Sequence, residues 1–195
     1  RDDLASWGMV ARWPVEGTED NELPTWRYEI RTQSYIDEHT PRDLSQAPFA
    51  EFVHQDLIKT SSTPISDLRD ELIERAEEFG GIYEVAYDPY NGQLFSEEIE
   101  TIGITIASMS QTTAFFHEPI QELRKAIQDG RVTHDGSPIM RWFIQNAMVV
   151  QDRQERWMYC KKTSREKIDG LVAVTMAFRR CSLAPARSTG HSFVM

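Results

Sequence analysis

The feature that most restricts what this chain can fold into is a change of hydrophobic period along its length. Within residues 26–35, Trp26, Tyr28 and Ile30 on one side alternate with Arg27, Glu29 and Arg31 on the other. That is the pattern of an antiparallel strand with one face in solvent. The preceding run, residues 4–15, mixes small, aromatic and apolar side chains and stops at Pro14 before Glu16-Gly17, so the two predict a hairpin-like pair. A strand so near residue 1 leads to the expectation that the domain begins upstream of this chain.

After a polar stretch and a short amphipathic helix expected at 49–56, the period becomes helical. Leu68, Leu72, Ile73, Ala76 and Phe79 recur at helical offsets, with Ser66 expected as N-cap and Gly80-Gly81 as the stop. A short apolar strand at 82–87, a helix, a strand at 104–109 and a helix at 119–129 continue the alternation. Such alternation predicts an α/β fold with parallel-type connections. Beyond Gly130 the spacing predicts a helix over 138–145, then a hairpin of 147–151 and 157–160 flanking Asp152-Arg153-Gln154-Glu155-Arg156. The last element, about 165–181, places Ile168, Leu171, Val172, Thr175 and Met176 on one buried helical face. Residues 182–195, rich in Pro, Ser, Thr and Gly, are expected to form a flexible tail to a domain spanning 1–181.

Composition narrows the class. With 195 residues, 40% hydrophobic and 27% charged, the chain has the make-up of one folded domain rather than of a disordered or disulfide-stapled segment. Its longest uncharged stretch, residues 101–116, is interrupted by Thr, Ser and Gln and is too short and too polar to span a bilayer. Arg1-Asp2-Asp3 opens no apolar signal segment, and Cys160 and Cys181 lack metal-ligand spacing, so free thiols in a reducing cytoplasm are expected. The formal net charge of −10 argues, on average, against nucleic-acid binding. The average conceals a division, however. Residues 1–119 hold 8 Lys and Arg against 24 Asp and Glu, a net −16, whereas residues 120–195 hold 13 against 7, a net +6. Phosphate contacts depend on the local field, so the basic C-terminal part leaves DNA binding open.

Two acids stand where chemistry is feasible. Asp88, in Ala86-Tyr87-Asp88-Pro89-Tyr90, follows an apolar strand, and ligands of open α/β sheets bind at the carboxyl ends of strands. The alternative is that Asp88 only starts a turn or caps the next helix. Asp169 lies in the first turns of the last helix between Ile168 and Leu171, near the edge of the core, although a lone helical Asp is ordinarily a solvated side chain. Two or three such acids converging would suit Mg²⁺ or Mn²⁺, hard cations that take oxygen ligands. His117 and His134 have no Ser, Cys or Asp at a spacing that makes a triad, which favours loop or capping roles. No G-x-x-x-x-G-K-[ST] phosphate loop occurs, so ATP hydrolysis is not expected of this chain.

At these residues the chain resembles a family. Asp3-Leu4-Ala5-Ser6, Ala86-Tyr87-Asp88-Pro89-Tyr90, Gly103 with Gln111, the run Gly130-Arg131-Val132-Thr133-His134-Asp135-Gly136-Ser137-Pro138 with Trp142 and Asn146, and Lys167-Ile168-Asp169-Gly170-Leu171-Val172-Ala173 follow the order found in the C-terminal nuclease domain of the large terminase subunit of tailed bacteriophages. The resemblance implies an RNase H-like α/β fold: a mixed central β-sheet flanked by helices, an auxiliary β-hairpin near the active site, and acids gathered around two Mg²⁺ or Mn²⁺ ions. By it, Asp88 and Asp169 look like two of the metal-binding catalytic acids. Asp3 resembles an accessory acid that some members place beside them, with Asp2 a weaker candidate.

Family members carry a further acid on a first strand just upstream of the segment that Asp3-Leu4-Ala5-Ser6 resembles, and this chain starts after it. The expectation is therefore an endonuclease domain of a DNA-packaging motor that cuts concatemeric double-stranded DNA, impaired in this fragment. Lys161, Lys162, Arg153, Arg156, Arg165 and Lys167, an ordinary basic surface by themselves, become candidates for phosphate contact. The resemblance also implies an N-terminal ATPase domain, a small terminase subunit and a portal as partners in the cytoplasm of a bacterial host, with no membrane association. A non-catalytic DNA- or portal-docking domain, or another RNase H-like recombination nuclease, are the alternatives.

Overall fold

The computed structural model describes residues 4–15, 25–40, 48–78, 81–90, 93–101, 103–160, 164, 166–185 and 192–194. Strands β1 (Ala5–Pro14) and β2 (Trp26–Asp37) pair antiparallel over their whole length, from Ala5 opposite Tyr35 to Pro14 opposite Trp26. This is the expected hairpin-like pair. The other edge of β2 takes two short parallel strands that no periodicity announced, β3 (Ile58–Ser61) at its C-terminal end and β6 (Val132–His134) at its N-terminal end. Strands of three or four residues are too short to show a period. Strands β4 (Val85–Tyr87) and β5 (Ile106–Ser108) pair parallel in a small second sheet, and β7 (Val149–Gln151) and β8 (Trp157–Tyr159) form the expected hairpin.

The helices are α1 (Phe49–His54), α2 (Pro64–Glu78), α3 (Gln93–Thr101), α4 (Thr113–Gln128), α5 (Pro138–Asn146) and α6 (Asp169–Leu183). Three expectations are corrected. Helix α2 opens at Pro64, so Ser66 lies inside its first turn rather than capping it. Helix α4 starts at Thr113 and carries Pro119 in its interior, where the sequence had suggested a start because proline favours first turns. Helix α6 begins at Asp169 rather than near Arg165 and runs to Leu183. Ser192–Val194 forms β9, antiparallel to β1 at Val10–Arg12. No helix among the described residues is long and apolar enough to cross a membrane.

Helix α6 organises the molecule. It is buried on several sides, with Val174, Ala177, Phe178 and Cys181 almost wholly inaccessible, because β1 packs on one flank and α4 with β8 on another. The approach to β1 is close enough to require glycine. A Cβ on Gly8 would stand 2.4 Å from the backbone N of Val174. At the far end, the buried Arg12 guanidinium lies 4.2 Å over the Trp26 ring and donates to the carbonyls of Ser182 and Ala184, satisfying the end of α6. Gly8 meeting Val174, and Arg12 meeting Ser182, mean that β1 and α6 run in the same direction. Arg180 forks onto Glu84, just before β4, with Nη2 2.9 Å from Oε1, so β4 runs the opposite way. Consequently the start of α6, the start of β1 and the end of β4 meet at one end of the molecule.

Candidate active site

At that end lies a groove of about 230 Å³. Leu4, with Ala5, Trp7 and Gly8 of β1 and Leu68 and Leu72 of α2, forms its apolar walls, and Val172, Ala173 and Met176 of α6 complete them. Its polar side chains are Ser6, Tyr87, Asp88, Gln111 and Asp169, the last three separated along the chain by 23 and 58 residues. The structure thus brings the two sequence-predicted acids onto one groove.

Each acid is held by its surroundings. Asp88 follows β4 directly, and Pro89 ends the strand. Its Oδ1 accepts a hydrogen bond from the Tyr90 N–H at 3.1 Å, and its Oδ2 accepts one from Gln111 Nε2 at 2.8 Å. The turn-starting role is therefore real, and it coexists with a position on the groove. Asp169 is the first residue of α6, where a negative charge is favoured by the helix dipole. Its neighbours fix where it stands. Ile168 is buried, and a Cβ on Gly170 would lie 2.3 Å from a ring carbon of Phe143 and 3.0 Å from Thr32 Oγ1, so only glycine allows this end of α6 to sit against α5 and β2.

The two carboxylates supply oxygen ligands of the kind that a hard cation such as Mg²⁺ takes together with water. An ionised carboxylate has about four acceptor positions, of which Tyr90 and Gln111 use two on Asp88. No group of three or more His, Cys, Asp or Glu that could hold a metal ion occurs among the described residues. Asp3, with Asp2, lies outside the described residues, as do Lys161, Lys162 and Arg165.

The basic hairpin is joined to this groove through α4. Thr113, the first residue of α4, stands two residues beyond Gln111, and on the same helix His117 Nδ1 accepts from the Trp157 N–H of the hairpin at 3.0 Å. His117 is thus a structural tie, as is His134, whose Nδ1 accepts from the Gly136 N–H. Arg156 is engaged within the turn, its Nε donating to Asp152 Oδ2 at 2.8 Å, and this bond holds the Asp152 carboxyl well below the usual carboxylate range. Arg153 is exposed on the same turn. Lys167 is half-buried and has an interaction of its own.

Sequence reasoning missed what Gln111 does. The available signal was topological: β4 and β5 are parallel, so the residues following them emerge at the same edge. A larger hollow of about 580 Å³, between α4, α5 and the hairpin, is apolar apart from Arg124 and two glutamines and contains no acid.

Comparison with known proteins accords with this arrangement. Residues 69–184 match the family model of the terminase large subunit, endonuclease domain. The chain is 29% identical over 116 residues to Protein YmfN of Escherichia coli (strain K12), covering 58% of this chain and 26% of that protein. It is 26% identical over 149 residues to the terminase large subunit of Enterobacteria phage HK97, covering 74% of this chain and 29% of that one. The chain therefore spans little more than a quarter of these relatives. The crystal structure of the HK97 bacteriophage large terminase superposes with a TM-score of 0.69 at 19% identity, over 91% of this chain and 39% of that one, and the shared fold is RNase H-like. An acid-bearing groove at strand and helix ends, in a chain matched over most of its length by one family model, makes this protein a member of the terminase large subunit endonuclease-domain family.

Proposed function

We propose that this chain is a metal-dependent endonuclease domain acting on double-stranded DNA within a viral packaging motor. The observation that carries the reading is the convergence of Asp88 and Asp169 on one groove. These two carboxylates would hold Mg²⁺ or Mn²⁺, in a two-metal site completed by further acid groups, Asp3 among them. Bound there, the metals would supply the charge that activates the attacking water and stabilises the leaving oxygen of the phosphodiester. The protein's own part is to orient the carboxylates and hold the duplex. Arg153 on the hairpin turn, with Lys161, Lys162, Arg165 and Lys167, would contact phosphates without reading sequence, while Arg156 keeps the turn in shape through Asp152.

The reading extends to the whole motor as a proposal: an N-terminal ATPase domain in the same polypeptide, with a small terminase subunit and a portal as partners, in the cytoplasm of a bacterial host. It extends also to the fragment. Among the described residues, β1 pairs on one side only at Ala5–Gly8 and β4 pairs only with β5, and both border the groove, which supports the proposal that a further acid-bearing strand completes the site and that the 195-residue chain alone cuts poorly.

The test is nicking of supercoiled plasmid in Mg²⁺ or Mn²⁺ by a longer protein containing this chain. Activity abolished by Asp88→Asn and by Asp169→Asn is expected, and retained activity in either variant refutes the assignment. Robust Mn²⁺-dependent cutting by the 195-residue chain, abolished by Asp88→Ala, would refute the impairment. A docking role is favoured by one feature, the exposed apolar strip of Ile144, Met148, Val149 and Val150. Absence of metal-dependent nicking by the longer protein would favour that role instead.

A further inference from the structure

We propose that Gln111 is a positioning residue that holds the Asp88 carboxylate in one orientation for cation binding. The proposal rests on the reading of Asp88 as a metal ligand. An aspartate after a three-residue strand, with one bond to the nearby Tyr90 N–H, is still able to turn about its side-chain torsions. The Gln111 amide adds a second donor from the bend that follows β5 and engages the other oxygen at 2.8 Å. With one donor on each oxygen, both torsions are determined.

Gln111 can serve as a fixed point because its backbone is tied on both sides. The Met109 N–H donates to the Tyr87 carbonyl at 2.9 Å, binding the end of β5 to the end of β4. On the other side the Thr112 carbonyl accepts from the N–H groups of Phe115 and Phe116, and Phe116 is anchored in the core. The chemistry of the side chain also fits. A neutral amide orients a carboxylate by donating to it while leaving its negative charge available to a cation, whereas Lys or Arg at this place would compete with the cation for that charge.

The test is a double-variant cycle on the 195-residue chain, read as Mn²⁺ affinity from the electron paramagnetic resonance of free Mn²⁺. Gln111→Met keeps the length of the side chain and removes the donor. It is expected to weaken Mn²⁺ binding about 10-fold, the lower end for loss of a group that orients a metal ligand, with the thermal midpoint unchanged. Asp88→Asn is expected to weaken binding further, and the double variant to bind no more weakly than Asp88→Asn alone, since Gln111 acts through Asp88.

Wild-type affinity in Gln111→Met beside a loss in Asp88→Asn overturns the proposal, as does additivity of the two. Unchanged affinity in Asp88→Asn overturns the metal-ligand reading and this proposal with it. A second measurement needs no metal: the Gln111 side-chain amide hydrogens should show dispersed, slowly exchanging NMR signals that revert to free-glutamine values in Asp88→Asn. Free-glutamine values in the wild-type chain overturn the proposal.

Discussion

Replacing Gly8 by alanine tests whether the close contact of β1 with α6 builds the site. The added Cβ would stand 2.4 Å from Val174 N, 2.6 Å from Val174 Cα and 2.7 Å from the Ala173 carbonyl carbon. Ordinary contact begins at 3.4 Å, so α6 or β1 must recede by about 1 Å, the difference between 3.4 and 2.4. All three atoms belong to helix backbone, so no side-chain rotation relieves the clash. Recession would also loosen Val174, Ala177 and Phe178, which are inaccessible in the native packing. The expected cost is therefore at the top of the overpacking range, about 3 kcal/mol. For a chain of this size that lowers the thermal midpoint by roughly 6–12 °C.

The comparator is Gly130→Ala, at φ +67 with open space around its Cβ position, where only backbone strain of about 1 kcal/mol is expected. Urea unfolding followed by circular dichroism measures both. If Gly8→Ala is no less stable than Gly130→Ala, the contact does not constrain α6 and the account of how Asp169 is placed is wrong.

Other outcomes follow from separate features. Charge reversal of Arg153 is expected to weaken DNA binding and reduce the slope of log affinity against log salt by about 1, and an unchanged slope removes that residue from the interface. Burial pushes the Cys181 thiol up to about 12, so a thiol reagent at neutral pH should modify Cys160 in the native protein and reach Cys181 only on unfolding; rapid native labelling of both would contradict the packing around α6. Glu71 is buried, which alone would raise its pKa, but donation from Tyr35 and Trp7 and the nearby Lys59 outweigh burial and lower it. Its ionised form therefore stabilises the fold fully above the unfolded value near 4.5, and that contribution is lost as pH falls through the lower folded value. The stability advantage of the wild type over Glu71→Gln should accordingly be largest near neutral pH and shrink in acid; an advantage that grows on acidification would refute this.

Much of the fold was legible because its signals are local. The alternation of Trp26, Tyr28 and Ile30 with Arg27, Glu29 and Arg31 and the helical recurrence of Leu68, Leu72 and Ile73 follow from the geometry of one strand and one helix, and β2 and α2 stand where those patterns put them. The hairpin of β7 and β8 and the place of Asp88 at a strand end were legible for the same reason. The short strands β3, β6 and β9 were not, since each exists through pairing with a distant partner rather than through a pattern of its own. The onset of α4 was misplaced because Pro119 reads as a helix start, whereas packing of Phe116, Ile120 and Leu123 into the core sustains helix on both sides of it.

Local patterns along the chain thus mark out the class of the elements and single out the two acids. That those acids share a groove, that Gln111 binds one of them, and that Arg156 is committed to Asp152 emerges only on folding. The physical reason is distance along the chain. Asp88 and Asp169 meet because Gly8, Gly170 and Arg12 let α6 lie against β1, β2 and α5 at one height and in one direction. Those contacts join residues 27 to 172 apart in sequence, a separation at which periodicity carries no information.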